Sequence, residues 1–422
     1  MAMLNTQSPQ TTTDALRPDI GALARRIRRL GTELHSAVRA VTQQVATTSR
    51  KPHELARSLR IHRTLASRLL NAVRTDDPLA AISRMPRSEG LRMFLTAARS
   101  TASRDAIEQA ETALRNFEHL VDGELGGWDG FDAVITEWLP DAREKFELAN
   151  KQAAFKGMAN LLGVRADVQL VTSIYYPDAD GQSCDIAVIE GMAGLRRLRP
   201  SARIPFAMTA PIPGAPRPLA YVLEGLTHAE PGPDYPLLDE FCSKPIPRFH
   251  AVRARKITNY FLAGNEVGEN SAVDVYAASV IRHARPIYAD AAAPGWRPSA
   301  AAGPNVPAKV LLLNFLVHED IWPESDVELR VYDTHVNGLA DANDPARDID
   351  RLELQESVQV LGKGAARFRA TEVGRHVEMV QYVCDQLNWD SNRLRGYRLR
   401  VQYPLYNAQY CLVFDPLPPR PQ

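Results

Sequence analysis

Pro52–Arg74 reads PHELARSLRIHRTLASRLLNAVR. Leu55, Ala56 and Leu59 stand at helical spacing and define one face of a short first helix. His62 to Thr64 open a second, in which Leu65, Ala66, Leu69, Leu70 and Val73 recur at i, i+1, i+4, i+5 and i+8. Small Ala56 allows close helix approach, and Ile61 in the turn plugs the gap. The opposite face of the second helix presents Arg63, Thr64, Ser67, Arg68 and Asn71. These side chains reach phosphates and base edges: Arg bonds guanine in a bidentate manner, and Asn does the same with adenine. Arg57, Arg60 and Arg74 flank them as phosphate holders. The spacing predicts two helices and a tight turn, the second helix facing double-stranded DNA. The same spacing also fits a plain helical hairpin with solvated arginines.

The run LARSLRIHRTLASRLLNAVR resembles the helix-turn-helix of bacterial transcription regulators, in particular the DNA-binding part of the IclR family. Leu55, Ala56, Leu59, Ile61, Thr64, Arg68, Leu69 and Leu70 carry the likeness, over about twenty of 422 residues. The turn of such pairs often holds Gly, and here Arg60 stands in its place. In that family a β-hairpin wing follows the second helix. Here TDDPLAAISRMPRSEGLRMFL follows and reads as more helix. The resemblance therefore implies a DNA-reading helix pair and leaves the family's effector domain aside.

Around this stretch the charge is uneven. Lys plus Arg and Asp plus Glu number 50 each, yet residues 21–120 hold 18 basic and 9 acidic side chains. A basic third on a neutral chain is what a DNA-binding module joined to another domain shows. A chain of 422 residues exceeds one compact core and points to two or three domains. No run of eighteen apolar residues supports a membrane span. The first nineteen residues lack a signal pattern and read as a disordered tail. Cys184, Cys242, Cys384 and Cys411 form no CxxC pair, so buried, reduced thiols and a cytoplasmic location are expected. An Arg-rich, Lys-poor composition fits a bacterial, GC-rich genome.

Taken in order, Leu23, Ile27, Leu30, Leu34, Val38, Val41 and Val45 make one apolar stripe along a helix over 19–46. The stripe packs on the helix pair or forms a dimer seam. Asp77 and Pro78 start a further helix, and Ser103 caps another with Ile107, Ala110, Leu114, Phe117 and Val121 on one face. Residues 20–122 thus read as an all-helical module. GELGGWDG at 123–130 reads as a glycine-rich break, a linker or turn, followed by a connecting helix that Gly163 closes. From 164 the period changes to two. DVQLVTSIYY and CDIAVIEGM form a hairpin candidate, and IPFAMTAPI, LAYVLEG and VDVYAASVIR are further short strands. Residues 211–250 are rich in Pro and Gly and read as ordered loop. Residues 291–307 read as a linker. KVLLLNFLVHED, DVELRVYDTHV and RLELQESVQVL are strands, Thr371–Leu387 a helix, and GYRLRVQY with AQYCLVFD an antiparallel pair. The fold class expected is multi-domain α+β, with a helix-turn-helix module, then a β-rich region at 164–290 and an α+β domain at 308–418.

Other candidate chemistry is thin. His318, Glu319, Asp320, Asp333 and His335 end adjacent expected strands, where imidazole and carboxylate suit a transition metal, but solvated loop residues fit as well. Trp296, Trp322 and Trp389 suit a ligand pocket or a core. Arg393, Arg395, Arg398 and Arg400 suit an anion site or, more simply, a solvent-facing strand. No nucleophile elbow, P-loop or dinucleotide fingerprint occurs. The expectation is a non-enzymatic, homo-oligomeric DNA-binding regulator without cofactor or metal, its β-rich part sensing a small-molecule effector or holding a partner. A structural or assembly protein is the alternative.

Overall fold

The computed structural model describes residues 20–45, 51–209, 235–254, 257–289, 296–322 and 326–418. The expected tail, the connection at 46–50, the strand expected at 219–225 and residues 211–234 of the Pro/Gly-rich stretch lie outside the described residues. Contacts divide the chain into two units, one through Phe146 and one from Glu147.

The first unit is helical: α1 (Ile20–Val45), α2 (Pro52–Leu59), α3 (Arg63–Val73), α4 (Pro78–Arg84), α5 (Ser88–Ala98), α6 (Arg104–Glu124), α7 (Trp128–Ile135) and the start of α8 (Pro140–Leu162). Local chemistry sets several starts. Asp77 accepts from the Ala80 amide at 3.1 Å beside Pro78, and Ser103 accepts from that of Ala106 at 3.4 Å. The apolar stripe of α1 is spent in the core, where Ile27, Leu34, Val38 and Val41 are at most 1% exposed. They share that core with Leu69 of α3 and Phe117 of α6. Of the two uses expected for the stripe, core packing rather than a dimer seam is the one found, since its apolar face has a partner inside the unit. Gly31, which weakens α1 by about 1 kcal/mol relative to Ala, has a packing reason. A Cβ there would meet Ile82 Cγ1 of α4 at 3.2 Å.

The glycine-rich break is a turn rather than a linker, and a helix not expected from sequence follows it. Gly126 and Gly127 turn the chain at φ 71° and 102°, and α7 starts at once. Its Phe131 is fully buried and meets Phe117 edge to face, 5.4 Å between centroids.

The second unit holds the rest of α8 and β1 (Val164–Pro177), β2 (Ser183–Arg197), β3 (Pro205–Thr209), β4 (Phe249–Ala254), β5 (Ile257–Leu262), β6 (Val273–Pro286), β7 (Ser299–Ala302), β8 (Ala308–His318), β9 (Glu328–Asp333), β10 (Val358–Lys363), α9 (His376–Gln386), β11 (Leu394–Gln402) and β12 (Ala408–Val413). Strands run β10-β11-β8-β1-β2-β6 in the main sheet, β7-β12-β9 in a second and β3-β5-β4 in a third. Pairing is antiparallel except between β1 and β8. β8 lies inside the main sheet, and Leu311 to Val317 are all fully buried, which is why its apolar run does not alternate. On one face Leu312 and Leu316 pack with Met379, Val380 and Val383 of α9. On the other, Leu311, Leu313 and Phe315 pack with Tyr410 and Leu412 of the second sheet. The result is helix, sheet, sheet. Three expectations change here. The main sheet draws strands from both 164–290 and 308–418, so these form one unit rather than two. The expected linker at 291–307 contains β7, which pairs with β12. The expected strand at 351–361 shrinks to β10.

Candidate nucleic-acid interface

α2 closes on Arg60, whose φ of 54° and ψ of 39° are left-handed. The amide of Ile61 donates to Ala56 O at 3.1 Å, and that of Arg60 to Arg57 O at 3.4 Å. This is the bonding of a Schellman closure, with Arg in the position that usually takes Gly. The turn then delivers His62, whose Nδ1 accepts from the Thr64 amide at 3.3 Å and caps α3. Burial of Leu55, Leu59, Ala66, Leu69 and Leu70 fixes the rotation of both helices. Arg63, Thr64, Arg68 and Asn71 are consequently exposed on α3, with Ser67 half-buried among them. Arg57, Arg60 and Arg74 are exposed as well.

Several arginines of the unit are paired with carboxylates. Arg26 pairs with Glu124, Arg87 with Asp132, Arg92 with Glu118 at 2.8 Å, Arg99 with Glu111 at 2.6 Å and Arg104 with Glu108 at 2.7 Å. Arg57, Arg60, Arg63 and Arg68 have no side-chain partner among the described residues, a condition shared by Arg28, Arg29 and Arg39 of α1. A hollow of about 700 Å³ adjoins α3, lined by Arg68, Asn71, Arg74, Arg84, Arg87 and Lys145 among others. Arg84 is 3.9 Å from Asp141, too far for a hydrogen bond. Arg84, Arg87 and Lys145 were not singled out by sequence, because they come from outside the helix pair and no local spacing ties them to it.

The candidates of the second unit are mostly used structurally. Glu319 pairs with Lys363 and, at 2.6 Å, with Arg393, and these two cations hold its carboxyl down at about 2. Arg393 also takes Asp320 at 2.8 Å, so these carboxylates are engaged and do not gather with Asp333 and His335. Asp178, Asp180 and His283 do bring ligand atoms within 4.8 Å of one another, but Asp178 and His283 already pair and Asp180 accepts from two amides of its own turn. Trp322 is core, its Nε1 donating to Ile287 O at 2.9 Å, and Trp389 stacks on Tyr176 at 4.8 Å.

Arg398 corrects the solvent-facing reading of β11, since it is 7% exposed. It belongs to a closed ring of hydrogen bonds. Its Nε donates to Asn314 Oδ1 at 2.6 Å, Asn314 Nδ2 to Thr172 Oγ1 at 3.0 Å, and the Thr172 hydroxyl lies 2.9 Å from His376 Nε2. His376 Nδ1 and an Arg398 terminal nitrogen both reach Phe368 O, at 2.7 and 2.9 Å. A carbonyl only accepts, so Nδ1 carries the imidazole proton and Nε2 accepts from Thr172. Burial pushes His376 down to about 4, against the help of the Phe368 carbonyl.

No family model matches this chain, and neither the curated proteins nor the solved structures compared with it give a match. Among the described residues, no helix is long and apolar enough to cross a membrane.

Proposed function

We propose that the first unit binds double-stranded DNA through α3 as the recognition helix of a helix-turn-helix, in the manner of a transcription regulator. The observation that carries this reading is the outward face of α3, where Arg63 and Arg68 stand exposed and without carboxylates while five other arginines of the unit are paired. Unpaired guanidinium groups keep their charge available for phosphate and guanine. Asn71 and Thr64 supply base-edge donors and acceptors beside them. Arg57, Arg60 and Arg74 hold phosphates, and the hollow along Arg84 and Lys145 accommodates the backbone next to the groove. No wing is needed in this arrangement, because the supporting cations come from neighbouring helices. Such units bind as dimers to two half-sites about one helical turn apart.

The test is a mobility shift with genomic DNA fragments at two salt concentrations, comparing wild type with the double variant Arg63→Ala/Arg68→Ala. Wild type retards DNA at low salt and much less at high salt, through counterion release. The variant loses most of that binding. Absence of any wild-type shift at low salt removes the reading, and an unchanged variant moves the contact elsewhere.

Assembly is the second reading, and one observation favours it. Val336, Leu339 and Ile349 are 82%, 73% and 85% exposed within one stretch of the second unit. Large apolar side chains clustered on a surface mark association sites. Solution mass without DNA, for wild type and Val336→Asp/Ile349→Asp, separates a homo-oligomer built on this stretch from a monomer.

A further inference from the structure

The second unit contains a cavity of about 320 Å³ between the β1–β2 face and the loop at Gly303–Asn305. Its size is that of a small-molecule site. Val171, Val188, Met192 and Phe206 give it apolar walls, and its polar groups are Gln169, Glu190, Asn305 and Gln409. Most of their hydrogen-bonding capacity is already used. Gln169 donates to Gly303 O at 2.9 Å and accepts from the Asn305 amide at 2.8 Å. Gln409 donates to Ala340 O at 3.0 Å and accepts from the Ala340 amide at 2.7 Å. Asn305 Nδ2 donates to Phe206 O at 2.9 Å, and Tyr235 donates its hydroxyl to Glu190 Oε1. Among the described residues, Glu190 Oε2 and Asn305 Oδ1 have no partner, the Gln169 and Asn305 amides each keep a second N–H, and Glu190 is the one charged group of the lining. No Arg, Lys or His lines the cavity among the described residues.

We infer that this cavity binds a small organic cation with an apolar body, its ammonium or amidinium group paired to Glu190 and bonded to Asn305. A lining whose one charged group is a carboxylate leaves a cation as the complement, and the absence of lining cations among the described residues disfavours phosphates and carboxylates. The apolar walls receive the rest of the molecule. Burial raises the Glu190 carboxyl above the usual range, with the Tyr235 hydroxyl opposing, so an incoming cation supplies the charge that the site lacks. The inference stands independently of the DNA reading, because the cavity lies wholly within the second unit.

Matched pairs of probes test it on the full chain: benzamidine against benzoate, and phenethylamine against 3-phenylpropionate, by titration calorimetry and thermal unfolding. At least one cation binds at millimolar concentration or tighter and raises Tm, and its carboxylate partner does neither. Glu190→Gln keeps the shape and the Tyr235 bond but weakens the cation about tenfold or more. Should that variant not fold, Asn305→Asp serves in its place and tightens the cation. Failure of both cations, equal binding of a cation and its acid, or unchanged affinity in the Glu190 or Asn305 variant overturns the inference.

Discussion

Under the proposed DNA reading, Arg60 carries two duties that pull apart. A non-glycine side chain in the left-handed region costs on the order of 1 kcal/mol, and Gly there carries no such cost. Arg60→Gly should therefore raise stability by about 1 kcal/mol in urea unfolding while weakening DNA retardation at low salt. A loss of stability would mean that the backbone does not hold this conformation. His376 makes a prediction of the opposite kind, about conditions rather than substitution. Its pKa is about 4 in the fold and about 6.5 when unfolded, so the unfolded chain takes the proton first. Its contribution is fully present above pH 6.5 and is lost as pH falls toward 4, by about 3 kcal/mol. His35 and His318 shift in the same direction through burial. Urea unfolding between pH 8 and 4 of wild type and His376→Gln isolates the share of His376. The variant is less stable at pH 8 and has a shallower slope below 6.5. None of this was legible in HVEMVQYVC, where His376 reads as one more residue beside an apolar stripe, because its partners are Thr172 of β1 and the Phe368 carbonyl, and theirs come from β8 and β11.

At the scale of elements, the sequence carried most where a local rule sufficed. Asp77 with Pro78 and Ser103 mark helix starts, and the four-and-three spacing of α1 marks its buried face. The unbroken apolar run of β8 marks a strand covered on both faces. Local rules misled where tertiary contact decides. The glycines at 126 and 127 read as a linker or turn; they make the turn, and what the local reading missed is the eight-residue α7 behind it, anchored by Phe131. Alternation in GYRLRVQY placed Arg398 in solvent, since a polar residue on a strand normally faces water. The row Thr172, Asn314 and Arg398, adjacent in register across three strands, is what buries it. The glutamate of the cavity escaped notice for a like reason: only folding assembles β1, β2 and the 303–305 loop around it. Leu69→Ala gives an element-scale check on the helix pair. The fully buried side chain is shared between α3 and the core, so its loss costs about 2–5 kcal/mol in urea unfolding and disorders the presentation of Arg68.

For the whole molecule, the two units revise the argument from charge. Residues 21–120 carry a net +9, but 121–146 add seven acidic and two basic side chains to the same unit, and 1–20 add one more negative charge, leaving +3. Composition alone thus overstated the asymmetry. The acidic segment pairs particular arginines: Glu124 takes Arg26 and Asp132 takes Arg87, while Arg63 and Arg68 of α3, like Arg28, Arg29 and Arg39 of α1, have no carboxylate partner among the described residues. DNA affinity should accordingly report local rather than net charge. With Arg57, Arg60, Arg63 and Arg68 each neutralising one phosphate, log K falls against log salt with a slope of about −4 per chain, and each Arg→Ala change reduces it by about one. Measured slopes near zero would sever the link between these arginines and the DNA backbone. In the second unit, the ring through Phe368, His376, Thr172, Asn314 and Arg398 starts at Arg398, which donates both ways, and ends on Phe368 O, which accepts from Arg398 and His376. That directionality fixes a single imidazole tautomer, so the nitrogen resonances of His376 form a native spectroscopic gauge of whether the helix and the sheet beneath it are still seated.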